Sequence, residues 1–459
     1  MKLQQYADDL TTITEDALSD HLAQCHIENF CRISGLQLND SKTKKMYINL
    51  NESQQLDLKH FTPEKNIKSE LKILGIIFNK TELIPAKNWD EKVKKVEKSL
   101  AAHWKRYVSI FGKVKLINAL ALCHINYVAK VKLPEKRHIT KLNSIIFKFL
   151  WAPRRIEQTS RAKITQLKEY GGLGIPNIKM RCDAIFTSRM KQVLSEEYEQ
   201  LTEPWQKDAI YQLGTKIRSI APNLLSNERP KADNPDRDYA AILKTITNLN
   251  ERIQLWKETN IKQIYFKMFT RPPENNKTWS LALLREKSLK KFFSNREREI
   301  AWRTKQQAYK WNAWMAQNGR QISGSCVLCN QSRDDTIDHL LLRCPIVREI
   351  WININSMVRS LTTKNFIIDA DLIKYNLVEE GENQLDWLIP IKTVNVAKVK
   401  LITWHDILST SNKTLEDANN WIEKMVDETK EDIVSFIEDL KENYFTTEEQ
   451  QDRIYLRRH

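Results

Sequence analysis

At 459 residues the chain has room for two or three domains with their own cores, and 41% apolar residues with thirteen tryptophans exclude a globally disordered polymer. A formal charge of +15 points to a polyanionic partner before any motif is read. The longest apolar run, ALALCHINYVA from Ala119, falls short of the roughly 18 residues a membrane span needs, and the N-terminus carries acids where a secretory signal would be apolar, so an intracellular protein is expected.

The chain opens with KLQQYADDLTTIT, in which Tyr6 to Asp9 reads as a turn followed by a β-prone run. Two adjacent carboxylates are costly unless solvent or a cation offsets them, so this is either a solvated hairpin turn or a divalent-metal site. Leu18, Leu22, Cys25, Phe30 and Ile33 then recur at helical spacing up to Gly35, which is placed as a C-cap. LQLNDSKTKKMYINL predicts a turn and then a strand over 46–50, and LKILGIIFN a strand pair broken at Gly75. From Asn88 to Lys115 the pattern predicts an amphipathic helix with Val93, Val96, Leu100 and Trp104 on one face. Between Lys92 and Lys115 eight Lys and Arg, Lys105 and Arg106 among them, stand against one Glu. Such a cationic face suits a duplex backbone, although solubility alone also uses surface lysines.

Two more helices are expected on either side of Pro134, followed by the paired Arg154 and Arg155, whose forked donors fit phosphates. GGLGIPN reads as a turn, because no Gly-Lys-Ser/Thr follows to make a phosphate loop. Ser226 to Asp238 is polar with two prolines and is the best boundary, giving segments 1–87, 88–225, 226–238, 239–360 and 361–459.

Leu284 to Lys310 holds nine Lys and Arg, including Lys290, Lys291 and Arg303, against three Glu, interleaved with Phe292, Phe293, Trp302 and Tyr309. Basic residues with rings suit RNA, whose bases stack, while the bland reading packs Trp302 and Trp314 in a core. Next comes CVLCNQSRDDTIDHLLLRC, placing Cys326, Cys329, His339 and Cys344 at Cys-x₂-Cys-x₉-His-x₄-Cys. Three thiolates and an imidazole form a closed tetrahedral set suited to a structural Zn²⁺. From Ser411 to Gln450 four Lys stand against twelve acids, and Trp421, Ile422, Met425, Ile433, Phe436 and Leu440 share one helical face, so this tail is expected as a packed acidic helix.

The order YADD, SGLQLNDSKT, LKILGIIF, IFKFLWAPRR, LKEYGGLGIPNI and the Cys/His cluster resembles the reverse transcriptase of non-LTR, LINE-type retrotransposons, over roughly residues 1 to 351. The resemblance implies a mainly helical α+β chain: the second half of a palm, a helical thumb and connector, and a zinc knuckle. It makes Asp8 a ligand of the catalytic Mg²⁺ pair with Asp9 beside it, and Lys42 a general acid toward pyrophosphate. It places Tyr6 near the primer end, and Leu74 and Gly75 in the primer-gripping hairpin. RNA template and DNA primer are the implied partners, zinc the structural cofactor and Mg²⁺ the catalytic one; neither a membrane nor a small-molecule substrate is expected.

The family's further metal-binding carboxylate and its fingers lie upstream of YADD, whereas Met1 here stands five residues before Tyr6. The expectation is therefore a 5′-truncated element or a late-starting reading frame, with an incomplete magnesium site and no polymerase activity by itself. The alternative is a non-catalytic zinc-containing RNA- or DNA-binding protein derived from the element.

Overall fold

The computed structural model describes residues 2–6, 9–39, 41–48, 66–81, 84–104, 106, 108–152, 156–168, 171–195, 203–213, 236–241, 245, 260–268, 292–309, 311–319, 324–329, 335–361, 367–375, 384–411 and 418–444. The strands are β1 (Lys2–Tyr6), β2 (Asp9–Ile13), β3 (Glu70–Ile73) and β4 (Ile76–Asn79). The main helices are α1 (Ala17–Ser34), α2 (Lys87–Ala101), α3 (Ile110–Leu116), α4 (Cys123–Val131), α5 (Lys136–Trp151), α6 (Ile178–Ser195), α7 (Pro204–Leu213) and α8 (Ile261–Lys267). They continue with α9 (Asn295–Lys305), α10 (Asn312–Gln317), α11 (Pro345–Leu361), α12 (Ala370–Tyr375), α13 (Gln384–Ser411) and α14 (Ala418–Tyr444). The fold is thus predominantly helical with a few short strands, as the sequence implies. No single helix among the described residues is long and apolar enough to cross a membrane.

The chain divides into two compact units, and the first comprises Met1–Ser99, Leu120–Asn143 and Ile178–Met268. Its β1 and β2 pair antiparallel with Tyr6 opposite Asp9, so the expected hairpin forms. Asp16 caps α1 by accepting from the Ser19 N–H at 2.7 Å, which holds its carboxyl below the usual range, and Gly35 ends the helix at φ 76°. β3 and β4 turn at Leu74 and Gly75, with φ of 46° and 83°, the geometry of a tight hairpin that only a glycine adopts without strain.

The strand expected over 46–50 does not form across its described part. Residues 46–48 lie outside any strand, next to one isolated bridge from Lys45 to Ile67. Both sheets stop at two strands among the described residues, so this β-prone run has no ladder to join. Leu3 and Ile13 on the first hairpin, and Leu18 and Ile33 on α1, are all more than half exposed.

Buried Asn88 clasps β4 to the start of α2, donating from Nδ2 to the Ile77 carbonyl at 2.8 Å and accepting the Ile77 N–H at 2.7 Å. Behind it α4 and α6 pack together, with α7 and α8 against α6. The single helix read over 88–115 is in fact two: α2 ends at Ala101, and Ser109 starts α3 by accepting the Gly112 N–H at 3.2 Å. Val93, Val96 and Leu100 are buried as expected, but Trp104 lies beyond α2 and is 48% exposed.

The second unit comprises Leu100–Ala119, Ser144–Asn177 and Phe269–His459. α14 packs on both α11 and α13, and one apolar core runs from Phe293 through Cys326, Cys344 and Trp351 to Leu440. The acidic tail helix is part of that core, with Trp421, Ile422, Met425, Ile433, Phe436 and Leu440 all buried. The glycine turn is also internal: the Trp302 indole donates to the Gly171 carbonyl at 2.8 Å. A Cβ on Gly172 would lie 1.8 Å from the Gln166 carbonyl oxygen, so no other residue fits there.

Candidate metal centre

Cys326 and Cys329 stand in the short segment 324–329, while His339 opens a π-helical turn, His339–Arg343, that ends at Cys344. The π turn answers a problem set by the His-x₄-Cys spacing. On an α-helix two residues five apart point about 140° away from each other. An i→i+5 turn brings them back to one side, and the Cys344 N–H closes it on the His339 carbonyl at 2.7 Å. Leu340 and Leu341 in the turn are buried, and the Trp351 indole donates to the Leu341 carbonyl at 2.8 Å, fixing the turn on α11.

The four ligand atoms all lie within 4.8 Å of one another, and Cys329 Sγ is 3.4 Å from His339 Nε2. Tetrahedral zinc, with Zn–S near 2.3 Å and Zn–N near 2.1 Å, requires donors roughly 3.5–3.8 Å apart. The side chains therefore need only small adjustments to surround one ion. Cys326, Cys344 and His339 are buried and Cys329 is half-buried, so the set is closed to solvent and suits a structural role.

The sulfurs are already electrically unequal. The Cys326 thiol hydrogen-bonds Cys344, which together with burial drives its pKa far up, whereas receiving that bond lowers Cys344.

Residues 260–351 match the family model described as zinc-binding in reverse transcriptase. All four ligands fall inside that range. The chain thus carries a zinc-binding domain of the kind associated with reverse transcriptases, and its Cys₃His set has the donors and spacing to hold a structural zinc ion. Two polar residues beside the ligands of this zinc-binding domain were not singled out in the sequence. Thr336 Oγ1 accepts the His339 N–H at 3.2 Å, and the Asp335 N–H donates to the Gly324 carbonyl at 3.0 Å, joining the arm of the first cysteines to the arm of the histidine. Thr336, three residues before His339, has cap spacing and was findable on that ground.

Among the other residues singled out in the sequence, Asp8, Lys105, Arg154, Arg155, Lys290 and Lys291 lie outside the described residues. Tyr6 and Asp9 face each other across an exposed hairpin. Lys42 is exposed in a turn closed by its own N–H on the Asn39 carbonyl at 2.9 Å, Leu74 and Gly75 form the hairpin tip, and Arg106 is exposed. Arg303 is engaged internally, paired to Glu299 at 2.7 Å with its guanidinium over the Trp151 ring. Of the rings read as base-stacking platforms, Phe293 and Trp302 are buried and Phe292 and Tyr309 half-buried, and Trp314 after them is half-buried as well. Core packing accounts for them.

Proposed function

We propose that this chain derives from the RNA-directed DNA polymerase of a non-LTR retrotransposon, that Cys326, Cys329, His339 and Cys344 hold one zinc ion, and that the chain works by binding the element's nucleic acid. The observation that carries the reading is the convergence of the Cys₃His set inside the matched range. Zinc in such a closed site supplies folding free energy rather than chemistry.

The electrostatics of the first unit support a polyanionic partner. Lys94, Lys95 and Lys98 are exposed along α2, opposite the buried Val93 and Val96. Lys92 is held below the ordinary lysine range by partial burial and by the like charges of Lys95 and Lys72, a crowding that a phosphate backbone would relieve.

For the polymerase reaction the proposal keeps Asp8, Asp9 and Lys42 in the roles the resemblance gives them. Two-metal transfer uses such acidic oxygen ligands to hold both ions. The purified full chain should contain one zinc per molecule by elemental analysis and should bind a labelled RNA oligonucleotide with an affinity that falls as salt rises. A chain free of zinc, or RNA binding indifferent to salt, overturns the reading.

A further inference from the structure

The matched range ends at residue 351, yet the metal centre is braced by a residue far beyond it. His405, on α13, is fully buried with Nε2 2.7 Å from Asp335 Oδ1, and Asp335 is fully buried as well. The imidazole stacks on Trp311 with ring centroids 4.1 Å apart and planes 27° apart. Asp335 stands at the stem of the knuckle. Its N–H holds the segment leading to Cys326, and four residues later the chain places His339 among the ligands.

We infer that His405 is a positioning residue of the metal centre: through Asp335 it fixes the stem that holds the two halves of the Cys₃His set together, so zinc retention depends on α13. The reasoning starts from cost. A carboxylate taken fully out of water is destabilising unless a donor meets it, and His405 Nε2 is such a donor, itself locked in orientation by the Trp311 ring. Without it a fully buried carboxylate loses a donor at 2.7 Å, and the stem that carries it is held less firmly. Loosening the stem frees Cys326 and Cys329 to move relative to His339 and Cys344, which raises the entropy that zinc must overcome to gather them. Outer residues that orient metal ligands act in this way, and their loss weakens metal binding typically ten- to a hundredfold. The contact spans 70 residues of sequence, and it makes part of the chain beyond the matched range a functional piece of the zinc-binding domain.

The inference rests on the zinc reading above, and the experiment keeps the two apart. In the full zinc-loaded chain, affinity is read by chelator competition, and the ligand field is read from the absorption bands after cobalt(II) replaces zinc. His405→Phe keeps a flat ring against Trp311 but cannot donate to Asp335; it should weaken zinc about ten- to a hundredfold and shift the cobalt bands. His405→Gln, whose amide can still donate, should restore most of the affinity. Leu401→Ala, a core truncation one turn earlier on α13, should lower thermal stability while leaving zinc affinity near wild type. Should His405→Phe fail to fold, Asp335→Ala, which keeps the backbone bond to Gly324 but offers His405 no acceptor, decides: several-fold weaker zinc supports the inference, and unchanged zinc overturns it. Zinc held as tightly by His405→Phe as by wild type, or weakened as much by Leu401→Ala as by His405→Phe, overturns it too. A wild-type chain that takes up no zinc overturns the zinc reading itself, whereas a loaded wild type with an indifferent His405→Phe overturns this inference alone.

Discussion

Lys398 lies in the middle of α13 with no exposed surface, and burial pulls its pKa from 10.5 down to about 7. A group whose folded pKa is lowered binds its proton more weakly folded than unfolded, so stability rises with pH between the two values. The residue therefore destabilises the folded chain fully below about pH 7 and ceases to do so by about pH 10. At 1.36 kcal/mol per pH unit, the difference between 10.5 and about 7 corresponds to roughly 5 kcal/mol, an upper figure because buried sites relax and admit water. Methionine fills a similar volume without the charge. Lys398→Met should accordingly be more stable than wild type by about 2–4 kcal/mol at neutral pH, with the advantage shrinking toward zero near pH 10. The assay is urea unfolding of both zinc-loaded proteins across that pH range, because subtracting the two curves cancels every other titrating group. A difference that stays flat from neutral to alkaline pH, or a variant less stable than wild type at neutral pH, refutes the reasoning.

Serine at Cys329 should abolish stoichiometric zinc and loosen α11 after His339, measured by elemental analysis and hydrogen exchange, while serine at exposed Cys123 should leave the metal in place. Trp302→Phe removes the indole bond to the Gly171 carbonyl and should cost about 1–3 kcal/mol, since a buried acceptor loses a partner; Gln306 Nε2, 3.0 Å from the same oxygen, sets the lower end. His138 is held below the ordinary histidine range chiefly by burial, an effect only partly offset by its bond to Asp90 at 3.1 Å. Its contribution is complete above about pH 6.5 and is lost as pH falls further. Thermal unfolding should therefore show His138→Gln losing less stability than wild type on acidification.

What could be read from the sequence was what depends on neighbours along the chain. The Cys-x₂-Cys-x₉-His-x₄-Cys spacing located the whole ligand set, Leu74 and Gly75 located a hairpin tip, and the apolar stripe from Trp421 to Leu440 located a buried helix face. A residue pattern carries these because caps, turns and helix faces are local. What failed depended on partners elsewhere. The run over 46–48 has strand-forming residues but no ladder to join, and where the lysine-rich helix breaks the Ile110 N–H donates to the Glu299 carboxylate at 2.9 Å, 189 residues further on. Asp335 with His405, and Trp302 with Gly171, pair across 70 and 131 residues, and no period in the sequence connects them. The rings around Trp302 were ambiguous for the same reason, since base stacking and core packing call for the same amino acids.

The shared core of the second unit also sets an order of events during synthesis. Cys326 to Cys344 leave the ribosome roughly a hundred residues before the end of α14, and at about 5–20 residues per second that is an interval of roughly 5–20 seconds. Throughout it the thiols have emerged but the helices that bury them have not. Lys392 has yet to meet Glu297, and Thr403 has yet to meet Arg296. The nascent knuckle is thus open to metal exchange and to oxidation of its sulfurs in a way the finished protein is not. Zinc that arrives early would be held by the four ligands alone, and closure by the last two helices would convert fast exchange into slow release.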